Sequence, residues 1–320
     1  MKSGSVARAI GVLLLALLAA CAQPPRPAPP AAPAAIPFNT DVEITGPRPW
    51  THDGFARGDG YFRFAVIGDR TGAHRAGVFE AALERLVWLQ PEFVVSVGDL
   101  IEGYSEDPAT LQRQWSEVRG QIDRLPMPFF LTVGNHDVGN ATMLDDWLRR
   151  HGRTYYHFVY GDVLFLVLDT EDPPQLLDRA ALDSAHGGLA RSRAPARLPA
   201  AISSRQLAWA QIVLQRYREV RWTFVFLHKP AWLEAGDGFN AIEALLAGRR
   251  YTVFAGHGHV YQHNVRHGQD YIRLGPAGAG IPAPDSVDQV TLVTMTPTEP
   301  HIANIALPGV FPTEGPAPAQ

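Results

Sequence analysis

The chain of 320 residues contains a single cysteine, Cys21, so no disulfide can form within it. Charge of one sign is also missing: 28 Lys and Arg against 32 Asp and Glu give a net charge of −4. The arginines are scattered among acids, so there is no basic stripe of the kind that binds nucleic acid. No apolar run is long enough to span a bilayer comfortably; the longest, Ala9 to Ala20, falls short of the ~20 residues a spanning helix needs. Apolar content of 46% is ordinary for a globular protein.

Lys2 and Arg8 precede that apolar run, which ends in Leu18-Ala19-Ala20-Cys21. The pattern resembles a bacterial lipoprotein signal over residues 1–21, in which the cysteine is lipidated and becomes the new N-terminus. Acyl chains on Cys21 would anchor the protein, each buried methylene contributing about 0.8 kcal/mol. Ala22 stands where a retention aspartate would otherwise be, which by similarity to known lipoproteins implies a periplasm-facing position on the outer membrane. Residues 22–39 are dominated by Pro and Ala and read as an extended spacer. Residues 308–320 form a Pro-rich tail, expected to be disordered. The body between them, 40–307, contains no comparable linker and is treated as one domain.

Within the body, apolar runs alternate with helical periodicity. Tyr61 to Ile67, Phe93 to Val97 and Pro128 to Val133 read as strands. Phe79 to Leu89 and a segment starting at Asp107-Pro108 read as the helices between them. This is the signature of parallel strand–helix–strand units. Met143 to Arg149 reads as a short helix, and Tyr155 to Tyr160 with Val163 to Leu168 as a hairpin. Residues 171–201 show no period and read as a flexible flap near the site. Further on, Trp222 to Leu227 and Tyr251 to Phe254 read as buried strands. Val260 to His263, Tyr271 to Leu274 and Val290 to Met295 read as antiparallel strands without crossover helices.

Five of these runs deliver polar groups where they stop: Gly68-Asp69, Gly98-Asp99, Gly134-Asn135-His136-Asp137, His228, and Gly256-His257-Gly258-His259. Asp69 and Asp99 offer hard anionic oxygens, Asn135 a neutral one, and His228, His257 and His259 imidazole nitrogens. Mixed oxygen and nitrogen donors suit Mn, Fe or Zn better than Ca or Mg. Two such divalent ions sharing Asp99 could activate water for in-line attack on phosphorus and stabilise the developing charge. An isolated Gly-Asp is an ordinary turn or helix cap; the joint order is what points to a metal centre.

That order resembles the calcineurin-like metallophosphoesterase superfamily, whose motifs run Gly-Asp, Gly-Asp, Gly-Asn-His-Asp/Glu, a lone His, and Gly-His-x-His. The resemblance covers about residues 61–275. It implies an α/β fold, a four-layer α/β/β/α sandwich with two mixed central sheets. It also implies two metal ions, one held by Asp69, Asp99 and His259, the other by Asp99, Asn135, His228 and His257. His136 would then act on the scissile phosphate, oriented by Asp137. Arg70 and Arg75 lie in the loop after the first motif; Arg70 is read as a contact for the substrate phosphate, and Arg75 as such a contact or as a surface salt bridge. The implied activity is hydrolysis of a small phosphorylated substrate, a mono- or diester, at the cell envelope. A lipid anchor is the other partner; the oligomeric state is unspecified.

One motif departs from the pattern. Many members read Asp-x-His at the first motif, the histidine being another metal ligand, whereas here the run is Asp69-Arg70-Thr71. The first metal would then be under-coordinated, held more weakly or completed by water, with His74 and the somewhat distant Tyr104 as the side chains in reach. The departure motivates an alternative: a non-catalytic envelope scaffold with a degenerate metal site. Asp169 at a strand end is read as a turn cap or an orienter of His136, and Tyr155, Tyr156, Phe158 and Trp232 as core or cleft wall.

Overall fold

The computed structural model describes residues 37–55, 61–172, 198–233, 237–284, 286–307 and 309–311. The expectations for the signal segment and Cys21, for spacer residues 22–36, for flap residues 173–197 and for tail residues 312–320 lie outside the described residues.

Two sheets face each other. The first holds β2 (Phe62–Ile67), β3 (Phe93–Ser96), β4 (Phe129–Phe130), β13 (Gln289–Met295), β14 (Pro300–Ala306) and β15 (Gly309–Phe311), in the order β15-β14-β13-β2-β3-β4. The second holds β1 (Phe38–Thr40), β5 (Tyr156–Tyr160), β6 (Val163–Val167), β9 (Trp222–Phe226), β10 (Tyr251–Ala255), β11 (Gln262–Arg266) and β12 (Gln269–Arg273), in the order β1-β5-β6-β9-β10-β12-β11. A short parallel pair, β7 (Glu171–Asp172) with β8 (Ala201–Ile202), ties the two ends of the expected flap together.

The helices α1 (Val78–Leu89), α2 (Pro108–Ile122) and α3 (Ala141–His151) cover the first sheet, and α4 (Ser204–Arg216) and α5 (Asp237–Leu246) cover the second. Each outer layer has its own apolar core, and a third core lies between the sheets. The α/β/β/α order expected from the sequence is the one observed. Helix starts obey capping chemistry: Asp107 accepts from the Ala109 and Thr110 amides with Pro108 behind it, Asn140 accepts from Met143, and Ser203 from Gln206.

Strand alternation explains the two-sided burial. Phe62, Phe64 and Val66 of β2 enter the inter-sheet core while Ala65 and Ile67 face the helices; Phe165 and Leu166 divide the same way on β6. Such strands read as continuous apolar runs because neither face meets water. The inter-sheet layer is rich in phenylalanine: Phe158 stacks on Phe165 at 4.6 Å and on Phe130 at 4.1 Å, and Phe64 meets Phe224 edge-on at 4.8 Å. Truncating one such buried ring typically costs about 3–5 kcal/mol. This layer therefore fixes the spacing of the two sheet edges that carry the polar residues.

Several boundaries differ from expectation. β1 pairs Phe38 with Tyr160, so order begins inside the stretch read as spacer, and β15 pairs Phe311 with Asn304 inside the stretch read as tail. β11 and β12 form an antiparallel hairpin, yet β12 runs parallel to β10 with no helix between them. The hairpin itself reverses the chain, so the crossover needs no helix. Tyr156 and Phe158 are core residues, and Trp232 is buried against Phe239 and Tyr271.

Candidate metal centre

β2 runs parallel to β3, and β9 runs parallel to both β6 and β10, so within each sheet the carboxyl ends of these strands lie along one edge. At that edge the chain turns through left-handed backbone without glycine at Asp69 (φ 40°), Asp99 (φ 59°), His257 (φ 70°) and His259 (φ 53°). Non-glycine residues rarely sit there, and each costs of order 1–2 kcal/mol. The corner is what aims the side chain back over the sheet edge. Gly98 has no such freedom to carry a side chain: at φ 96°, a methyl group would lie 2.8 Å from the Gly134 nitrogen and 2.9 Å from His228 Nδ1.

Ligand-capable atoms converge in two groups, Asp69, Asp99 and His259, and Asp99, His228 and His257, with all atoms of a group within 4.8 Å of one another. Asn135 joins the second group through its Oδ1, 2.9 Å from His228 Nε2. His228 Nε2 also lies 3.1 Å from His257 Nδ1 and 3.2 Å from Asp99 Oδ2. Asp99 is thus common to both groups. The structure brings together all six residues named from the sequence.

The surroundings fix which atoms are free. His228 Nδ1 donates to the Val97 carbonyl at 2.8 Å, and His259 Nδ1 to the Gly280 carbonyl at 3.0 Å, so in each neutral imidazole Nε2 carries a lone pair. Asp69 accepts from the His257 amide on Oδ1, while its Oδ2 is buried with no hydrogen-bond partner among the described residues. A buried carboxylate oxygen left without a partner, beside imidazole nitrogens crowded against other donor atoms, is costly and is resolved by a cation. The donor set therefore fits two divalent ions.

Electrostatics agree. Burial pushes Asp69 up from the usual carboxylate range. Burial would raise Asp99 too, but His228 and His136 outweigh it and hold Asp99 far below that range. Burial opposes protonation of His228, yet Asp99 wins and pushes the imidazole up to about 9. Protons and metal ions compete for the same lone pairs here.

His136 lies beside this cluster. Its amide donates to Asp99 Oδ1 at 2.9 Å, and its Nδ1 donates to the Glu102 carbonyl at 2.8 Å, leaving Nε2 unengaged among the described residues. The expectation that Asp137 orients this ring is corrected. Asp137 is buried and accepts four main-chain amides, Asp99 (2.8 Å), Gly134 (2.9 Å), Leu100 (3.0 Å) and Ile101 (3.3 Å). Burial and the charge of Asp99 push its pKa up to about 7, against the pull of those amides. It holds the loop that presents Asp99; the Glu102 carbonyl orients His136.

Arg70 is corrected as well. It is 4% exposed, donates to the Leu100 carbonyl at 3.1 Å, pairs with Glu117 and lies over the Phe79 ring. A guanidinium so engaged points away from the cleft and pins the β3–α2 loop to the helical layer. Arg75 pairs with Asp288 and donates to the Ala279 carbonyl.

Thr71 stands where the resemblance places a histidine, and it directs its hydroxyl to the Asp99 and Ile101 carbonyls at 3.0 and 2.7 Å. Tyr104 does not complete the Asp69–His259 group. Its hydroxyl accepts from Asn135 Nδ2 at 2.5 Å, on the side of His228. His74 is held by its amide on the Glu102 carboxylate at 2.9 Å and belongs to neither group. Asp169 caps the turn after β6 by accepting from the Glu171 amide at 2.7 Å. Sequence reasoning missed the ion pair of Lys229 with Glu171, 2.8 Å apart and buried next to His228. The one available signal was a lysine directly following a ligand-type histidine in an apolar strand end.

A family model described as Calcineurin-like phosphoesterase matches residues 62–261. The human serine/threonine-protein phosphatase CPPED1 is 30% identical over 155 residues, which cover 46% of this chain and 43% of that protein. The match therefore spans less than half of that relative. Among solved structures, a dimetal phosphatase from Danio rerio aligns with a TM-score of 0.57 at 16% identity, over 78% of this chain and 98% of its own. The purple acid phosphatase PPD1 of yellow lupin aligns with a TM-score of 0.57 at 14% identity, over 78% of this chain and 52% of its own. At these identities the two structures establish a shared fold.

Proposed function

Since the chain belongs to the calcineurin-like phosphoesterase family, whose model covers residues 62–261, we propose that it is a metal-dependent hydrolase of phosphoric mono- or diesters. The observation that carries this reading is Asp99, one carboxylate common to two convergent donor groups. Asp69, Asp99 and His259 would hold one ion, and Asp99, Asn135, His228 and His257 the other. Bound there, Mn, Fe or Zn ions would supply Lewis acidity toward the phosphoryl oxygens and activate water near neutral pH.

The chain's own residues do the rest. The Glu102 carbonyl fixes His136 in one tautomer and leaves Nε2 available. Protonated, that nitrogen donates to the leaving oxygen or to a phosphoryl oxygen. Asp137 preserves the loop on which both Asp99 and His136 depend. Purified protein loaded with Mn or Zn is to be assayed on nitrophenyl phosphate and bis-nitrophenyl phosphate. About two ions per chain with turnover of either ester supports the reading; full metal occupancy with neither turned over refutes it.

The scaffold alternative keeps one observation in its favour. The Thr71 hydroxyl is spent on two carbonyls and offers no ligand where the family pattern has histidine. Metal content decides: no ions, or one whose removal leaves activity unaffected, supports the scaffold.

We also propose an envelope location through acylation of Cys21, supported by the basic residues, the short apolar run and the position of the sole thiol. The Pro and Ala spacer would hold the catalytic body clear of the membrane. Metabolic labelling with a fatty acid, lost on Cys21→Ser, tests this; label retained by the variant overturns it.

A further inference from the structure

An arginine outside the five strand-end motifs stands beside the metal centre. Arg273 ends β12, in register with Ala255 at the end of β10, immediately before Gly256-His257. Its Nε donates to the Val260 carbonyl at 2.9 Å. The guanidinium packs against Gly258: a methyl group on that residue would sit 2.9 Å from a terminal nitrogen and 3.0 Å from the guanidinium carbon. Gly258 separates the two donor histidines, so the glycine of this motif is where the arginine fits. The terminal nitrogens have no hydrogen-bond or ion-pair partner among the described residues, and the side chain is only partly buried. Burial depresses the Arg273 pKa, and the charge of Asp69 counters it.

Arg273 therefore differs from Arg70, whose guanidinium is consumed by Leu100 and Glu117. A partly exposed guanidinium fork with unengaged N–H groups at a phosphate-processing site is a ready oxyanion receptor. A monoester near neutral pH carries charge of about −1.5 to −2, with its second ionisation near pH 6; a diester carries one negative charge and lacks the extra anionic oxygen. We propose that Arg273 is a specificity-determining residue that binds an anionic phosphoryl oxygen and makes the enzyme prefer phosphomonoesters over diesters. The proposal rests on the phosphoesterase reading and names its substrate class.

Wild type, Arg273→Gln and Arg273→Lys are to be compared after metal loading. Three quantities are measured: metal content, calorimetric affinity for inorganic phosphate, and kcat/KM on nitrophenyl phosphate and bis-nitrophenyl phosphate. Loss of a charge-assisted contact should lower both monoester kcat/KM and phosphate affinity about 10- to 100-fold in Arg273→Gln. Diester kcat/KM should fall by less than about a fifth of that factor, Arg273→Lys should recover part of the loss, and both ions should be retained. Parallel losses on both esters, unchanged phosphate affinity, or loss of a metal ion would each overturn the proposal and leave Arg273 as a prop for the Gly258 turn. A wild type that carries two ions and turns over neither ester refutes the phosphoesterase reading itself, and that outcome is read without any variant.

Discussion

Asp137→Ala tests the reassignment of this carboxylate most directly. In the native protein it satisfies the amides of Asp99, Gly134, Leu100 and Ile101, at 2.8 to 3.3 Å. Removing it leaves four buried N–H groups without a partner, and each orphaned donor costs about 1–3 kcal/mol. The longest contact counts least, and relaxation or an entering water relieves part of the cost, so the net loss should be about 3–5 kcal/mol. That is a large share of the ~5–15 kcal/mol that holds a typical domain together. In urea it corresponds to a midpoint lowered by about 1–2 M for a slope of roughly 2–3 kcal/mol/M. Because the same loop presents Asp99, common to both donor groups, metal content should fall with stability. Urea melts followed by tryptophan fluorescence, with metal analysis of the folded fraction, provide the assay. A variant as stable as wild type that keeps two ions and loses only turnover would refute this reasoning and return Asp137 to the role of His136 orienter.

His136→Ala should lower kcat by about 10²–10⁴ with metal content unchanged, since no donor group includes that ring; loss of an ion in this variant contradicts the assignment. Arg70→Met should lower thermal stability without raising KM for either ester, because its guanidinium is spent on Leu100 and Glu117; an increase in KM would place it in the cleft after all. Burial alone would raise Asp41, but His157, the Trp209 indole N–H and Arg153 hold its pKa down at about 2. A depressed folded-state pKa contributes stability that is present above about pH 4 and lost as pH falls toward 2, worth about 2 kcal/mol. Acid titrations of stability should therefore flatten over that window in Asp41→Asn; an unchanged profile rules the linkage out.

The donor residues were legible because strand ends in parallel units point one way, and the apolar runs before Asp69, Asp99, Asn135, His228 and His257 mark where each strand stops. What the sequence hid was direction beyond the backbone. Arg70 follows Asp69, but its long side chain turns to the opposite face and reaches Glu117, so adjacency was no guide to contact. Asp137 follows His136, yet the group that orients the ring is the Glu102 main-chain carbonyl, which has no side-chain signature. Arg273 lies 14 residues past His259 and enters the site only through the parallel pairing of β10 with β12. That pairing was unreadable because the chain reverses through a hairpin where a helix usually serves.

The left-handed corners at Asp69, Asp99, His257 and His259 carry a lesson for protein design. Grafting these four donors onto another scaffold by matching residue types alone would set them on relaxed, extended backbone and splay them apart. A transplant must import the contorted peptide units together with the rigid aromatic layer that keeps them from springing open.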